Sequence, residues 1–172
     1  GVKVIHYGAD RLVVDALLHD DFQEVQFLSE RLGAQAVIAS LPLSWQDGRL
    51  EWFDYRTQTK IAIADQLLTT IQSGIISEIL ISDWSHEGQA NSFETNLVKK
   101  FPLSNIPMIA FGGLSEPAQI AELLVQPNVV AIAIGNFLNY QEQAIQKYKQ
   151  AIASVQLRNP FYNSTHSLLT HA

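Results

Sequence analysis

The sequence contains no cysteine among its 172 residues. This absence excludes a disulfide framework, a thiolate metal site and a cysteine nucleophile, and it is typical of proteins in a reducing compartment. Basic residues are also scarce, since 11 Lys and Arg face 17 Asp and Glu, so the formal net charge is -6. A chain with this charge lacks the basic surface that binding to a phosphate backbone requires, which argues against a nucleic acid partner.

Long apolar runs are missing as well. No stretch approaches the roughly 20 residues of a membrane-spanning helix, and residues 1–8 lack the apolar core of a signal peptide. We therefore expect a cytoplasmic protein without a membrane partner. With 47% hydrophobic residues the chain is long enough to bury one ordinary core. We expect one domain over residues 1–154 and a polar surface tail over residues 155–172.

Five short apolar runs are nearly continuous rather than alternating, which predicts parallel strands buried on both faces. These runs cover residues 12–14, 36–39, 79–81, 108–111 and 129–134. Helical patterns separate them, and the predicted helices cover residues 22–32, 61–71, 91–101, 116–125 and 141–153. The repeated strand–helix order predicts a parallel sheet with right-handed crossovers.

One segment, residues 42–59, interrupts the strand–helix order. It is too long and too aromatic for a simple turn, and it contains Asp47-Gly48, a dipeptide typical of β-hairpins. We expect a small β-excursion that lies over one face of the sheet.

The five histidines do not form a metal-binding pattern. His6 lies in the opening helical stretch, His19 in a loop beside Asp20, and His166 and His171 in the tail. Because none of them has further ligands at metal spacing, no metal site is predicted. No motif indicates a cofactor.

Glycines are concentrated in the loops that follow the predicted strands, where parallel α/β proteins bind ligands. Gly112 and Gly113 follow the fourth strand, and Gly135 follows the fifth. Glycine lets main-chain N–H groups approach an anion, and the next helix adds its positive end. Tight turns also favour glycine, but two adjacent loops of this kind favour a phosphate site.

Further polar candidates lie at the two ends of the sheet. Asp15 follows the first strand, and a loop after the third strand holds Ser85, His86 and Glu87, where a His/Glu pair suits acid–base work and also suits a solvated loop. Arg11 and Glu78 differ, because each stands immediately before a strand, at the opposite mouth. A surface ion pair there would contribute about 0–1 kcal/mol.

Taken together, these loops resemble the cyclase subunit of imidazole glycerol phosphate synthase, a (βα)8 barrel of histidine biosynthesis. The residues that carry the resemblance are Gly8-Ala9-Asp10-Arg11, Asp15, residues 33–37, Asp47-Gly48, residues 77–81, Glu87-Gly88, residues 106–113 and residues 133–137 with Tyr140. The resemblance extends to about residue 153 and implies five βα units of a barrel that lacks its first three strands. A five-stranded, doubly wound flavodoxin-like sheet is the architectural alternative.

The resemblance also implies site residues. Those implied to hold one phosphate of a phosphoribosyl-type ligand are Gly88, Gly112, Gly113, Gly135 and Asn136. Glu87 corresponds to an acidic residue of the same loop. Arg11 and Glu78 correspond to a lysine and a glutamate that gate ammonia arriving from a glutaminase subunit.

The catalytic positions of the family are not kept. The aspartate before the hairpin is Pro42 here, and its companion belongs to a strand that the chain lacks. An Asn–Thr or Asn–Ser pair has become Asp15-Ala16, an aspartate has become Ser85, and a serine has become Phe111. Cyclisation needs two positioned acid–base groups, so we predict no authentic cyclase (lyase) turnover.

We therefore interpret the chain as a diverged paralogue, similar to those that accompany surface-sugar amidation. Such a protein binds a phosphorylated sugar or nucleotide-type ligand and pairs with a glutaminase-like subunit. The alternative is a non-catalytic binding or scaffold subunit of the same ancestry.

Counting strands leads to an expectation about assembly. Barrels of this type have eight strands and at least about 200 residues, so five strands leave inward residues such as Val14, Ile38 and Ile81 facing an open interior. They also leave unpaired edges near Val13 and Ala131. Exposed apolar edges recruit partners, so we expect a homo-oligomer. A flat, doubly wound sheet would instead give a monomer.

Overall fold

The computed structural model describes residues 1–140, 142–152 and 154–157. Within them, the strands are β1 Leu12–Val14, β2 Val37–Gln46, β3 Arg49–Asp54, β4 Thr59–Ala62, β5 Glu78–Asp83, β6 Met108–Phe111 and β7 Val129–Ile132. The α-helices are α1 Val2–His6, α2 Leu17–Asp20, α3 Phe22–Leu32, α4 Asp65–Thr70, α5 Asn96–Lys99, α6 Pro117–Leu124 and α7 Ala144–Ala151. Short 3-10 turns cover Ala34–Ala36 and Asn136–Tyr140, and a π turn covers Ile71–Ile75. No helix in these ranges is long and apolar enough to cross a membrane.

The five predicted strands correspond to β1, β2, β5, β6 and β7, and each pairs in parallel with the next one along the chain. Every crossover therefore steps in the same direction across the sheet, as in a βα barrel. A flavodoxin-like sheet would place its first strand between the second and the third. The doubly wound alternative is wrong, and the architecture is that of consecutive barrel units.

The aromatic segment forms a hairpin that extends this same sheet. β2 continues past β1 and turns at Asp47 and Gly48, whose φ angles are 50° and 78°, as a two-residue hairpin turn requires. β3 then pairs antiparallel with the outer half of β2, and β4 pairs with β3. The expectation of an excursion over one face is wrong, because the edge of β2 beyond β1 offers free main-chain groups to β3.

The core lies between the sheet and its helices. Strand residues such as Ala39, Ile79 and Met108 pack with Leu28 of α3 and Leu97 of α5. Val14 and Ile81 belong to this core, and the expectation that they face an open interior is wrong.

The reason is the two-residue period of a strand, which sends neighbouring side chains to opposite faces. Val14 pairs with core residue Ala39, whereas Val13 pairs with Ile38. Ile38 thus lies on the other face, but the expectation of an open interior is wrong for it too, since it is buried at 6% exposure, whereas Val13 there is 54% exposed. β1 and β7 each pair along one side only within the described residues, as predicted for the edges, and β4 ends the hairpin.

The helix predictions hold best where caps are clear. α3 covers exactly the predicted residues, and the Asp21 carboxylate accepts a hydrogen bond from the Glu24 N–H at 3.0 Å. α6 and α7 lie inside their predicted ranges. The predicted helix 61–71 begins only at Asp65, because Ile61 belongs to β4. The predicted helix 91–101 shrinks to α5, and His19 lies in α2 rather than in a loop.

Part of the predicted tail, residues 158–172 with His166 and His171, lies outside the described residues.

Candidate functional site

The loops after β5, β6 and β7 enclose a small cavity at the C-terminal ends of the parallel strands. Its volume is about 100 Å³. We call it the glycine pocket, and its lining consists of Glu87, Gly88, Phe111, Gly112, Gly113, Leu114, Ala133, Gly135, Asn136 and Phe137. The structure thus brings together all five residues predicted to contact phosphate, together with Glu87.

Two of the glycines are required by the fold itself. Gly112 has φ +94°, and a Cβ there would lie 2.7 Å from the Asp83 carbonyl oxygen. Gly113 has φ +64°, and its Cβ would lie 2.6 Å from Ser92 Oγ. Side chains rarely adopt such backbone angles. The tight turn after β6 therefore needs glycine whether or not a ligand binds.

Gly135 is different, because no backbone reason demands glycine there. Its φ is not positive, and a Cβ would meet only the Phe111 ring, at 3.5 Å, which is ordinary contact. The missing side chain leaves space in the glycine pocket next to Asn136. Glycine at this position is thus explained by the cavity better than by the chain's conformation.

A buried carboxylate organises the loop that carries Glu87 and Gly88. Asp83, the last residue of β5, is fully buried and accepts hydrogen bonds from Ser85 Oγ at 2.9 Å, His86 Nδ1 at 2.8 Å and the Glu94 N–H at 2.8 Å. We call the C-terminal ends of the parallel strands, with the loops that follow them, the ligand face. Two residues predicted to act there, Ser85 and His86, therefore hold the loop in place through these hydrogen bonds. Sequence reasoning missed Asp83, although its place at the end of a strand was a usable signal.

The other end of the ligand face carries what we call the acidic-aromatic cluster, formed by Asp15, His19, Asp20, Trp52, Asp54 and Arg56. Arg56 donates to Asp54, with Nη2 and Oδ2 3.1 Å apart, and also pairs with Asp20. Hydrogen bonds from the Arg56 guanidinium hold the pKa of the Asp54 carboxyl well below its usual range. Hydrogen bonds to the Asp54 and Asp20 carboxylates raise the pKa of Arg56. In this group, two negative charges face one positive charge.

His19 is clamped inside this cluster. Its ring stacks on Trp52 with centroids 3.7 Å apart, and its side chain is only 7% exposed. Its Nε2 is buried without a hydrogen-bond partner among the described residues and lies 4.0 Å from Asp15 Oδ1. Burial lowers the pKa of His19 and raises the pKa of Asp15.

Tyr55 follows β3 directly, next to Asp54. Burial raises the pKa of its hydroxyl, and the negative charges of Glu87 and Asp15 raise it further. Its ring contacts Phe53 edge-on, with centroids 5.1 Å apart, and Phe53 stacks on Trp84. Tyr55 thus belongs to an aromatic group with Phe53 and Trp84.

Sequence reasoning missed His19, Trp52 and Asp54 as members of one cluster. The four-residue spacing of Asp15 and His19 was the only local signal. In the described part of the chain, no group of three or more His, Asp or Glu side chains is arranged to hold a metal ion.

At the opposite mouth of the sheet, the predicted charged pair forms. Arg11 Nη1 lies 3.0 Å from Glu78 Oε2, and Arg11 also donates to Ser77 Oγ at 2.8 Å and to the Gln35 carbonyl at 3.1 Å. Pro42, which replaces the aspartate expected from the resemblance, is buried in β2 opposite Ser82 of β5. It offers no group that can exchange a proton.

A family model described as "Histidine biosynthesis protein" matches residues 2–144. The chain belongs to this family. The curated relatives it resembles include proteins named "Imidazole glycerol phosphate synthase subunit HisF". The one from Leptospira biflexa is 24% identical over 160 residues, which cover 90% of this chain and 62% of the relative.

Two staphylococcal proteins of the same name give similar values. The Staphylococcus carnosus protein is 24% identical over 151 residues, 85% of this chain and 59% of its own length. The Staphylococcus aureus protein is 25% identical over 155 residues, 87% of this chain and 61% of its own length. The resemblance predicted from the loops is confirmed at the level of a diverged family member, and the chain spans about three fifths of the length of these relatives.

Proposed function

We propose that this protein binds a phosphorylated sugar or nucleotide-type ligand, with the phosphate in the glycine pocket. The observation that supports the proposal best is the convergence of three loops on one cavity lined by Gly88, Gly112, Gly113, Gly135 and Asn136. Main-chain N–H groups of such loops are the donors that phosphate oxygens need. Glu87 at the rim would accept hydrogen bonds from ligand hydroxyl groups.

The charge of the pocket gives the test. Gly135→Asp places a carboxylate beside the proposed phosphate. The substitution fits the backbone because the φ of Gly135 is not positive, and it fits the space because only the Phe111 ring lies within 4 Å of the new Cβ. We expect affinity for inorganic phosphate, measured by calorimetry, to fall about tenfold or more because like charges repel at short range. The control is Gly135→Asn, which has nearly the same shape and no charge, and should bind within about threefold of the parent.

Two results contradict this proposal. Phosphate affinity that is the same in Gly135→Asp and Gly135→Asn would place the anion elsewhere. Phosphate that perturbs Lys or Arg resonances but not the amides of Gly112 and Gly113 in NMR spectra would do the same.

The proposed function does not include cyclase chemistry. Pro42 carries no acid–base group, and loss of such a group costs about 10²- to 10⁴-fold in rate. We expect ammonia-dependent cyclisation, measured in a coupled absorbance assay, to be more than about a hundredfold slower than that of an authentic cyclase. Turnover within about a hundredfold of an authentic cyclase would contradict this expectation.

We also propose that the mouth around Arg11 and Glu78 faces a glutaminase-like partner, by analogy with the gate described above. The ion pair is held by Ser77 and Gln35, so it is a built feature and not two unrelated surface charges. Arg11→Glu should weaken binding to a glutaminase subunit in light scattering, whereas Arg49→Glu, in the hairpin at the other end of β2, should not. Equal binding by both variants would count against this surface.

The exposed edges support self-association as a further proposal. Val13 on β1 and Val130 on β7 are 54% and 55% exposed, and unpaired apolar edges recruit other strands. Light scattering coupled to size-exclusion chromatography should give at least a dimer. A stable monomer of 19.2 kDa would contradict the proposal.

A further inference from the structure

The glycine pocket is lined by no side chain that can carry a positive charge. Its lining consists of main-chain and neutral groups together with one carboxylate, that of Glu87. A phosphate monoester carries about 1.5 to 2 negative charges at pH 7, and like charges at short range weaken binding. A phosphate in this pocket therefore needs a positive charge from just outside the lining.

His86 is the residue that can supply this charge. The loops that enclose the pocket follow β5, β6 and β7 and cover residues 84–95, 112–116 and 133–140. Within these three loops, His86 is the one residue with a basic side chain. It is two residues from Gly88 of the lining, so the two Cα atoms are at most about 8 Å apart.

Hydrogen bonds also hold the main chain of His86 against the turn after β6. The Ser92 N–H donates to the Gly113 carbonyl at 2.9 Å, and Ser92 Oγ lies 3.5 Å from the His86 carbonyl oxygen. One residue thus contacts both His86 and a glycine of the pocket. The position of His86 relative to the pocket is therefore fixed by the fold of the loop.

The buried carboxylate of Asp83 orients the His86 ring. Nδ1 lies 2.8 Å from one Asp83 oxygen and 3.0 Å from the other, and Asp83 is fully buried. A carboxylate at Nδ1 keeps a proton on that nitrogen and stabilises the imidazolium form of the ring. The side chain is 38% exposed, and Nε2 reaches solvent without a hydrogen-bond partner among the described residues.

We infer that His86, oriented by Asp83, donates a hydrogen bond from Nε2 in its imidazolium form to a phosphate held in the glycine pocket, and thereby makes anion binding depend on pH. This inference rests on the proposed function. A hydrogen bond between two charged groups is about twice as strong as one between neutral groups. Since the neutral ring has no proton on Nε2, affinity is higher at low pH and falls as the pH rises and His86 loses that proton.

The other ionisable groups near this loop do not produce the same pH dependence. Those on the elements that contact the loop are Asp83 of β5, Glu87 and Glu94 of the loop itself, Tyr55 and Lys60 of the hairpin, and Glu116 before α6. Carboxylates, lysine and tyrosine ordinarily titrate outside the range from about pH 5.5 to 8, whereas histidine titrates within it. Burial and the charge of Glu87 raise the pKa of Tyr55, so its hydroxyl stays neutral throughout.

Sulfate is the probe that tests this inference, because it remains a dianion in this range whereas phosphate itself titrates. In calorimetry, the parent protein should bind sulfate about tenfold more tightly at about pH 5.5 than at about pH 8. His86→Asn keeps an N–H near the position of Nδ1 and carries no charge, so at both pH values it should bind as weakly as the parent at the higher pH. His6→Gln removes an exposed histidine of α1 and, as the matched control, should keep the tenfold difference.

Two further measurements decide the question when His86→Asn disturbs the loop. His86→Lys carries a charge that does not titrate in this range. It should bind sulfate more tightly than His86→Asn, with affinities at the two pH values within about threefold of each other. In the parent at low pH, the ring-proton resonances of His86 should shift over the same range of sulfate concentration as the amide resonances of Gly112 and Gly113.

The outcomes separate this inference from the proposed function. Sulfate affinity that Gly135→Asp lowers, but that is equal at the two pH values in the parent, overturns the inference alone. A pH dependence that persists in His86→Asn also overturns it, because another group must then titrate. Absence of sulfate and phosphate binding to the glycine pocket at both pH values overturns both proposals.

Discussion

The two ends of the ligand face are built from different materials. The glycine pocket is made largely of main chain, with turns at Gly112 and Gly113 that only glycine fits. The acidic-aromatic cluster is made of side chains from β1, α2 and the hairpin, and its order depends on pairs such as Arg56 with Asp54 and His19 with Trp52. A site made of backbone tolerates few substitutions, but its structure does not depend on pH. A site made of paired side chains tolerates more substitutions, but its structure depends on pH because the side chains titrate.

The largest effect on stability should come from adding a side chain to a glycine of the glycine pocket. Gly113→Ala adds a Cβ 2.6 Å from Ser92 Oγ and 2.8 Å from the Phe93 nitrogen at a positive φ. We expect the free energy of unfolding, from urea denaturation, to fall by about 3 kcal/mol. Gly88→Ala shares the positive φ but meets nothing within 4 Å, so it should cost only about 1 kcal/mol. Equal losses would show that close packing at Gly113 is not the cause.

A smaller effect should follow from removing a hydrogen bond between α7 and the loop that carries Gly113. The Tyr148 hydroxyl donates a hydrogen bond to the Ser115 carbonyl, just beyond Gly113, and burial raises its pKa, so it remains a donor. Tyr148→Phe should lower the free energy of unfolding by about 1 kcal/mol. Tyr7→Phe, at a residue that is 88% exposed, should change nothing measurable. A loss from the control as large as that from Tyr148→Phe would argue against the hydrogen bond.

The acidic-aromatic cluster should make the stability of the protein depend on pH. Burial lowers the pKa of His19 below its ordinary value of 6.5, so the unfolded chain binds a proton there before the folded chain does. The free energy of unfolding should therefore have its full value above pH 6.5 and should fall as the pH drops from 6.5 toward the lowered pKa of His19. His19→Phe should remove this part of the slope in thermal unfolding, and His6→Gln should not. An unchanged slope in His19→Phe would mean that another group titrates.

The smallest effect concerns the ion pair between Asp54 and the partly exposed Arg56. Arg56 keeps the pKa of Asp54 below its ordinary value of 3.8, so the interaction stabilises the fold above that pH and is lost as pH falls through the lowered pKa. Arg56→Met should be less stable than the parent at neutral pH by a small amount, because Arg56 is 43% exposed. The difference should vanish in strong acid. Arg49→Met on β3 is the control, and a deficit that persists in acid would contradict the assignment.

The same contrast explains how far sequence reasoning reached. The five parallel strands, α3 and the loops of the glycine pocket could be predicted because continuous apolar runs, an Asp cap and glycine turns are local signals. The start of α4 and the extent of α5 could not, because Ile61 pairs with Trp52 of β3 and the Glu94 N–H donates a hydrogen bond to the Asp83 carboxylate. Both partners lie outside the segments whose periodicity predicted the helices.

Residue order alone was sufficient for the strand–helix repeat, the family and the residues that line the glycine pocket, since all of these depend on short segments read one at a time. Which face of the sheet Val14 and Ile81 occupy, how the hairpin joins β2, and that His19 meets Asp15 under Trp52 were decided by tertiary structure. Strand register and the path of the hairpin bring these side chains together. Neither is encoded in any single segment, because each results from the packing of several segments at once.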